Sequence, residues 1–219
     1  DYISTGKISP IVDQIMEGVL KGCEIAGIEL IGGETAEHPR HAPPPAYGDD
    51  IDLAGFCTGI VEENEIIDGS LIKPGDKIIG FPSSGVHSNG YSLINDMLWR
   101  HKISYKDTPE LITPTTIYTP LIQKLIDEVP ILGMAHITGG GIPENLPRCL
   151  PKGLDVHIDY NSWPMPEIFN KIQLAGEIPP EDMKTTFNCG IGFCIIVPPD
   201  TIIDSDIESW EIGHVKAIN

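Results

Sequence analysis

The sequence predicts an α+β protein in which mixed sheets are covered by helices, arranged in two consecutive parts. Three observations carry that prediction. Short apolar, strand-like runs at 28–31, 78–81 and 131–137 each deliver a glycine-flanked polar loop. Stretches between them repeat apolar residues at helical spacing. Beyond residue 69 helix and strand patterns alternate, whereas the first part holds one clear helix and a proline-rich irregular stretch.

The elements follow in order. Ser9 can cap a helix and Pro10 is tolerated at its first position. Ile11, Val12, Ile15, Met16, Val19, Leu20 and Cys23 then make one apolar stripe, and Gly27 is its natural stop. Residues 28–31 read as a strand. Residues 38–50, with Pro39, Pro43, Pro44 and Pro45, read as an irregular surface loop. Residues 51–61 read as a strand in which Gly55 and Gly59 signal a bulge or a close backbone approach. The domain boundary falls near Asp68-Gly69, giving parts 1–69 and 70–219. Pro74-Gly75-Asp76 turns the chain into a strand at 77–81. Helices are expected at 91–99, 115–129, 143–150 and 165–175, and Pro120 either kinks the second or marks a later start. Strands are expected at 131–137, 154–158, 192–197 and 212–218.

Composition narrows the partners. The 219 residues are 41% hydrophobic, enough for a substantial core, yet no apolar run approaches the ~20 residues of a membrane span. No secretion signal is visible at the start. Lys and Arg number 14 against 32 Asp and Glu, and the formal charge of −18 repels nucleic acid. An anionic metabolite can still be held, by local N–H groups and a divalent metal rather than by the global field. Five cysteines without a C-x-x-C pair read as free thiols in a reducing, cytoplasmic setting.

The chemistry-bearing residues gather in the three glycine loops. In the first, Gly32 and Gly33 let backbone approach a ligand, with Thr35 beside it. Glu34 or Glu37 becomes a Mg²⁺ or substrate ligand, the alternative being a Gly-Gly turn followed by solvated acids. In the second, Ser83, Ser84, Gly85, His87, Ser88, Asn89 and Gly90 crowd polar groups over a helix start. Phosphate or ribose binding is the functional reading, with His87 as general acid or charge stabiliser, although Ser88 or Asn89 also suits a plain helix cap. In the third, His136 ends a strand before Thr138-Gly139-Gly140-Gly141. A lone strand histidine is often a satisfied core residue; its place at the strand end, where sheet proteins gather ligands, draws it toward a site. Cys189 has no basic neighbour in sequence and does not read as a nucleophile. His38, His41, His101, His157 and His214 lack metal-ligand spacing and read as solvated or structural. No nucleophile elbow, Walker lysine loop or dinucleotide fingerprint is present.

Taken in order, these segments resemble one family. They are Asp1-Tyr2 with Thr5-Gly6-Lys7, Gly32-Gly33-Glu34-Thr35-Ala36-Glu37, Asp52-Leu53-Ala54-Gly55-Phe56 and Ile66-Ile67-Asp68-Gly69. Ser83 through Leu93, His136 through Gly141 with Glu144-Asn145, and Thr186-Phe187-Asn188-Cys189-Gly190 complete the set. The chain is similar, over nearly its whole length, to the phosphoribosylformylglycinamidine cyclo-ligases (aminoimidazole ribonucleotide synthetases) of purine biosynthesis. The resemblance implies ATP-dependent ring closure of formylglycinamidine ribonucleotide with ATP and Mg²⁺, in a dimer whose N-terminal domains share a barrel, with 51–61 the candidate contributor. It also implies that 1–69 is the second half of an ATP-binding N-terminal domain and 70–219 an α/β C-terminal domain. The family has a longer N-terminal part carrying nucleotide and Mg²⁺ residues, so the 219 residues are expected to be a fragment without cyclo-ligase activity of its own. ATP-dependent formation of aminoimidazole ribonucleotide by that chain alone would contradict the expectation. Competing readings are another ATP-dependent enzyme of the superfamily, such as selenophosphate synthetase, thiamine-monophosphate kinase or the hydrogenase-maturation dehydratase, and a non-catalytic acidic nucleotide-binding module.

Overall fold

The computed structural model describes residues 2–6, 8–38 and 51–218. The expected proline-rich loop, with His41, lies almost wholly outside them. The chain forms two compact units, Asp1–Glu65 with Ile117–Ile122, and Ile66–Thr116 with Gln123–Asn219.

The first unit is built on a strand that the apolar pattern does not announce. β1 (Tyr2–Thr5) is central in a three-stranded mixed sheet, parallel to β2 (Glu34–Glu37) and antiparallel to β3 (Ile51–Ala54). Its four residues are β-rich, and Ile3 and Thr5 are buried. Between β1 and β2 runs α1 (Ile11–Ala26). Pro10 precedes the first helical residue and no side chain caps the start; the Val12 amide donates to the Ser9 carbonyl at 3.0 Å instead. At the other end Gly27, at φ 69°, donates to Glu24 O and Ile28 N–H donates to Cys23 O. That is the double bond pattern of a Schellman stop.

Two strand expectations are corrected here. Residues 28–33 are irregular and Ile31 is 92% exposed, while the strand begins at Glu34, where β1 supplies a pairing partner. Residues 55–62 leave the sheet after Ala54, and nothing lies within 4 Å of a Cβ built on Gly55 or Gly59, so neither marks a close approach.

The second unit carries a five-stranded sheet of order β5-β7-β4-β8-β6. Its strands are β4 (Lys77–Pro82), β5 (Gly133–His136), β6 (Leu154–Ile158), β7 (Ile191–Val197) and β8 (Trp210–Ala217), and every pairing is antiparallel. Ile78, Ala135, Cys194, Ile196, Ile212 and Val215 pack from the sheet against Ile142 and Leu146. A second cluster joins Val86, Ile94 and Met97 to Ile168, Phe169, Ile172 and Phe187. These come from α2 (Tyr91–Trp99), α5 (Glu167–Gly176) and the segments around α6 (Pro180–Thr186). α3 (Thr119–Glu128) starts later than the apolar pattern suggests, placing Pro120 in the first turn, where its missing N–H costs nothing. α4 (Gly141–Asn145) is short and passes into a 3₁₀ turn at Leu146–Cys149 rather than running to 150.

Candidate active site

The sheet order explains how two of the three glycine loops meet. β4 and β5 both run antiparallel to β7, one on each side, so they point the same way. Phe81 and His136 sit opposite the same residue, Phe193, and the chain leaves both strands at one end of the sheet. Residues 83–90 enter α2 and 137–140 enter α4, while β7 arrives from the turn at 188–190. Three segments about fifty residues apart in sequence thus converge within one unit.

Two buried asparagines brace them. Asn188 is 2% exposed. Its Oδ1 accepts from Ser83 Oγ at 2.9 Å and from the Gly190 amide at 2.8 Å, and its Nδ2 donates to Gly85 O at 2.9 Å. Asn145 performs the same service for the third loop. Its Nδ2 is shared among the carbonyls of Thr138, Gly139 and Gly141 at 3.3, 3.1 and 2.8 Å, and its Oδ1 accepts from Thr138 Oγ at 3.1 Å. Both residues were visible in the sequence only as members of family motifs; their buried amides carry no periodic signal.

The hydroxyls of the second loop are engaged by neighbouring segments. Ser84 Oγ donates to Pro114 O at 2.6 Å and Ser88 Oγ pairs with Thr115 Oγ1 at 3.2 Å. What faces a ligand is therefore backbone. The amides of Ser88 and Gly90, and of Gly139 and Gly140, make no hydrogen bond to another described residue. Gly90 precedes α2 at φ 78°, with the Phe187 ring where its Cβ would stand. Gly141 has φ 60°, and a Cβ there would collide with the Lys184 carbonyl. Only glycine permits both approaches. Asn89 reaches across to the third loop, its Oδ1 3.5 Å from the Cβ position of Gly139.

The two histidines of the site come together, with ring centres 6.4 Å apart. His87 is 4% exposed and sits at φ 56°. Its Nε2 accepts from the Ser84 amide at 3.2 Å and the Thr116 amide at 3.5 Å, so the neutral ring carries its proton on Nδ1. Burial, and secondarily His136, push its pKa down to about 4. Burial also lowers His136, whose ring stacks on Phe193 at 6.1 Å. Both imidazoles are neutral at pH 7, so His87 is a hydrogen-bonding rather than a charged group there. Burial holds the Cys189 thiol up at about 11, which keeps it from acting as a nucleophile.

The first loop belongs to the other unit. Gly32 and Gly33 line an open groove of about 730 Å³ together with Cys23, Ile28 and Phe56. Glu34 and Thr35 share an adjoining recess of about 380 Å³ with Met16. Glu37 is occupied, its Oε2 accepting the Ile8 amide at 2.9 Å. Glu34 is exposed, and its carboxylate makes no ion pair or hydrogen bond to another described residue. Among the described residues no three His, Cys, Asp or Glu converge as a preformed metal cage. A single available carboxylate does fit Mg²⁺, which commonly takes one or two carboxylates together with substrate phosphates. Of the remaining histidines, His38 Nε2 pairs with Tyr2 OH at 2.9 Å, and His157 and His214 face each other across β6 and β8.

Residues 1–61 match the family described as AIR synthase related protein, N-terminal domain, and residues 73–218 match its C-terminal domain. A phosphoribosylformylglycinamidine cyclo-ligase of Prochlorococcus marinus (strain MIT 9313) is 48% identical over 99% of this chain, which covers 67% of that protein. The chain thus spans about two thirds of that relative's length. Thiamine monophosphate kinase from Aquifex aeolicus has the same fold, with a TM-score of 0.61 at 15% identity, covering 98% of this chain and 69% of that one. T. maritima PurL complexed with AMPPCP aligns with a TM-score of 0.55 at 13% identity, over 99% of this chain and 33% of that one. With nearly every residue matched at such identity, the chain belongs to the phosphoribosylformylglycinamidine cyclo-ligase family.

Proposed function

We propose that this chain is the part of an ATP-dependent cyclo-ligase that holds formylglycinamidine ribonucleotide while it closes to aminoimidazole ribonucleotide. The observation that carries the reading is the convergence of 83–90 and 137–141 at one sheet end, with unpaired amides and neutral imidazoles facing the same space. In the reaction the formyl oxygen attacks the γ-phosphorus of ATP and ADP leaves. The amidine-side nitrogen then attacks the activated carbon, the carbon–oxygen bond breaks, and phosphate departs with the oxygen. Activation converts a poor leaving group into a good one, which is why a nucleotide is consumed.

The residues divide the work. Gly85, Ser88, Asn89, Gly90, Thr138, Gly139, Gly140 and Gly141 bind the ribose phosphate through backbone, with Ser83 and Ser84 fixing loop shape. Neutral His136 takes the proton from the attacking nitrogen, and His87 holds the loop and donates from Nδ1. Gly32, Gly33, Glu34 and Thr35 serve the nucleotide end, Glu34 as Mg²⁺ ligand; bound there, the ion would neutralise phosphate charge. Residues 1–69 act as the second half of the ATP-binding domain and 70–219 as the C-terminal domain. The protein works in the cytoplasm as a homodimer, with exposed Phe56 and Ile60 at the contact.

The test is to supply ATP and formylglycinamidine ribonucleotide to the protein that contains this chain and follow product by mass spectrometry. Stoichiometric aminoimidazole ribonucleotide, ADP and phosphate are expected. Consumption of ATP with thiamine monophosphate or selenide, and none with this substrate, would overturn the assignment.

A further inference from the structure

The second unit carries another pair of neighbouring imidazoles on a part of the sheet that the candidate active site does not use. β6 is an edge strand, paired to β8, and His157 stands directly opposite His214 in that register. Val156 and Ile158 turn toward the core, so alternation sends His157 to the opposite face. Both imidazoles are exposed, their ring centres are 5.2 Å apart, and the planes are tilted by 45°. Two imidazoles on one tetrahedral ion, each bonded at about 2.0–2.1 Å, hold their ring centres roughly 5 Å apart. The pair therefore already has a chelating separation.

The surroundings leave the rings available. Lys77 lies opposite His214 on β4, but its Nζ pairs with Glu211 at 3.4 Å. Lys216 pairs with Asp155 at 3.0 Å across the neighbouring register position. Neither imidazole makes a hydrogen bond to another described residue. We propose that His157 and His214 form a two-histidine site for a borderline divalent transition ion, namely Zn²⁺, Ni²⁺ or Cu²⁺. Water fills the remaining positions, since no third histidine, cysteine or carboxylate converges there among the described residues. Imidazole donors favour these ions over Mg²⁺ and Ca²⁺, which take oxygen ligands. A bound ion would clip the edge strand to its neighbour. The site is independent of the reaction proposed above.

Calorimetric titration of the metal-free chain, without an affinity tag, with Zn²⁺ and Ni²⁺ tests this. One equivalent is expected to bind, and His157→Ala and His214→Ala are each expected to weaken binding by about tenfold or more, because either change leaves a single ligand. The thermal midpoint should rise with Ni²⁺ in the unaltered chain, not in either variant, and not with Mg²⁺. On addition of Ni²⁺, the ring resonances of His157 and His214 should broaden together. Equal affinity in all three proteins, or no binding at millimolar metal, would overturn the proposal.

Discussion

Asn188 shows how much of this site depends on single buried side chains. Truncating it strands the Gly85 carbonyl and the Gly190 amide, both in buried bonds, and frees the half-buried Ser83 hydroxyl. Asn188→Ala should therefore cost about 2–4 kcal/mol in urea unfolding, well beyond the roughly 1 kcal/mol of an ordinary hydrogen bond. His87 supplies a residue-scale pH dependence. Its folded pKa of about 4 lies below the ordinary histidine value of 6.5, so between those values the unfolded chain binds a proton that the native ring refuses. Its contribution is intact above pH 6.5 and shrinks as pH falls toward 4, by up to roughly 3 kcal/mol. Comparing stability across that window with a His87→Gln variant checks the sign: the variant should show the shallower fall. The sequence singled out His87 and His136 separately, in different loops, but neither their proximity nor their neutral state, which follow from packing partners distant in sequence.

Among the elements, those with a strong local signal were legible and those made by pairing were not. α1, α2, β4 and β6 follow from apolar spacing within their spans and turn residues at or near their ends. β1 is only four residues, and β2 is the polar run Glu34–Glu37; each is a strand because the other is there. The run 28–31 is apolar yet unpaired, which is why periodicity misplaced the strand. α6 begins Pro180-Glu181-Asp182 and buries only Met183, too little for an apolar stripe. Two glycines set opposite expectations at this scale. Gly18 sits exposed within α1 with nothing within 4 Å of its Cβ position, so Gly18→Ala should stabilise the first unit by about 0.5–1 kcal/mol. Gly90→Ala drives a methyl into the Phe187 ring at a positive φ and should cost about 2 kcal/mol or more. Chemical denaturation of the two variants separates them.

For the whole molecule, charge and apolar exposure act in different directions. The net charge of −18 keeps chains apart in general, yet Phe56 is 89% exposed and Ile60 is 99% exposed. Scattered apolar residues are ordinary on a surface; two so fully exposed in one irregular segment fit a partner surface. Sedimentation should show concentration-dependent association that Phe56→Ser with Ile60→Ser abolishes. An unchanged distribution would remove that segment from the contact.

The convergence of β4, β5 and β7 also dictates when recognition can arise during folding. Its three walls come from positions near 85, 139 and 188, and no contiguous stretch of the chain contains them as neighbours. Closing those long loops is an entropic toll met late, so a nascent or half-folded polypeptide would offer the proposed reactant no place to dock. A metabolite that settles there rewards only the completed sheet.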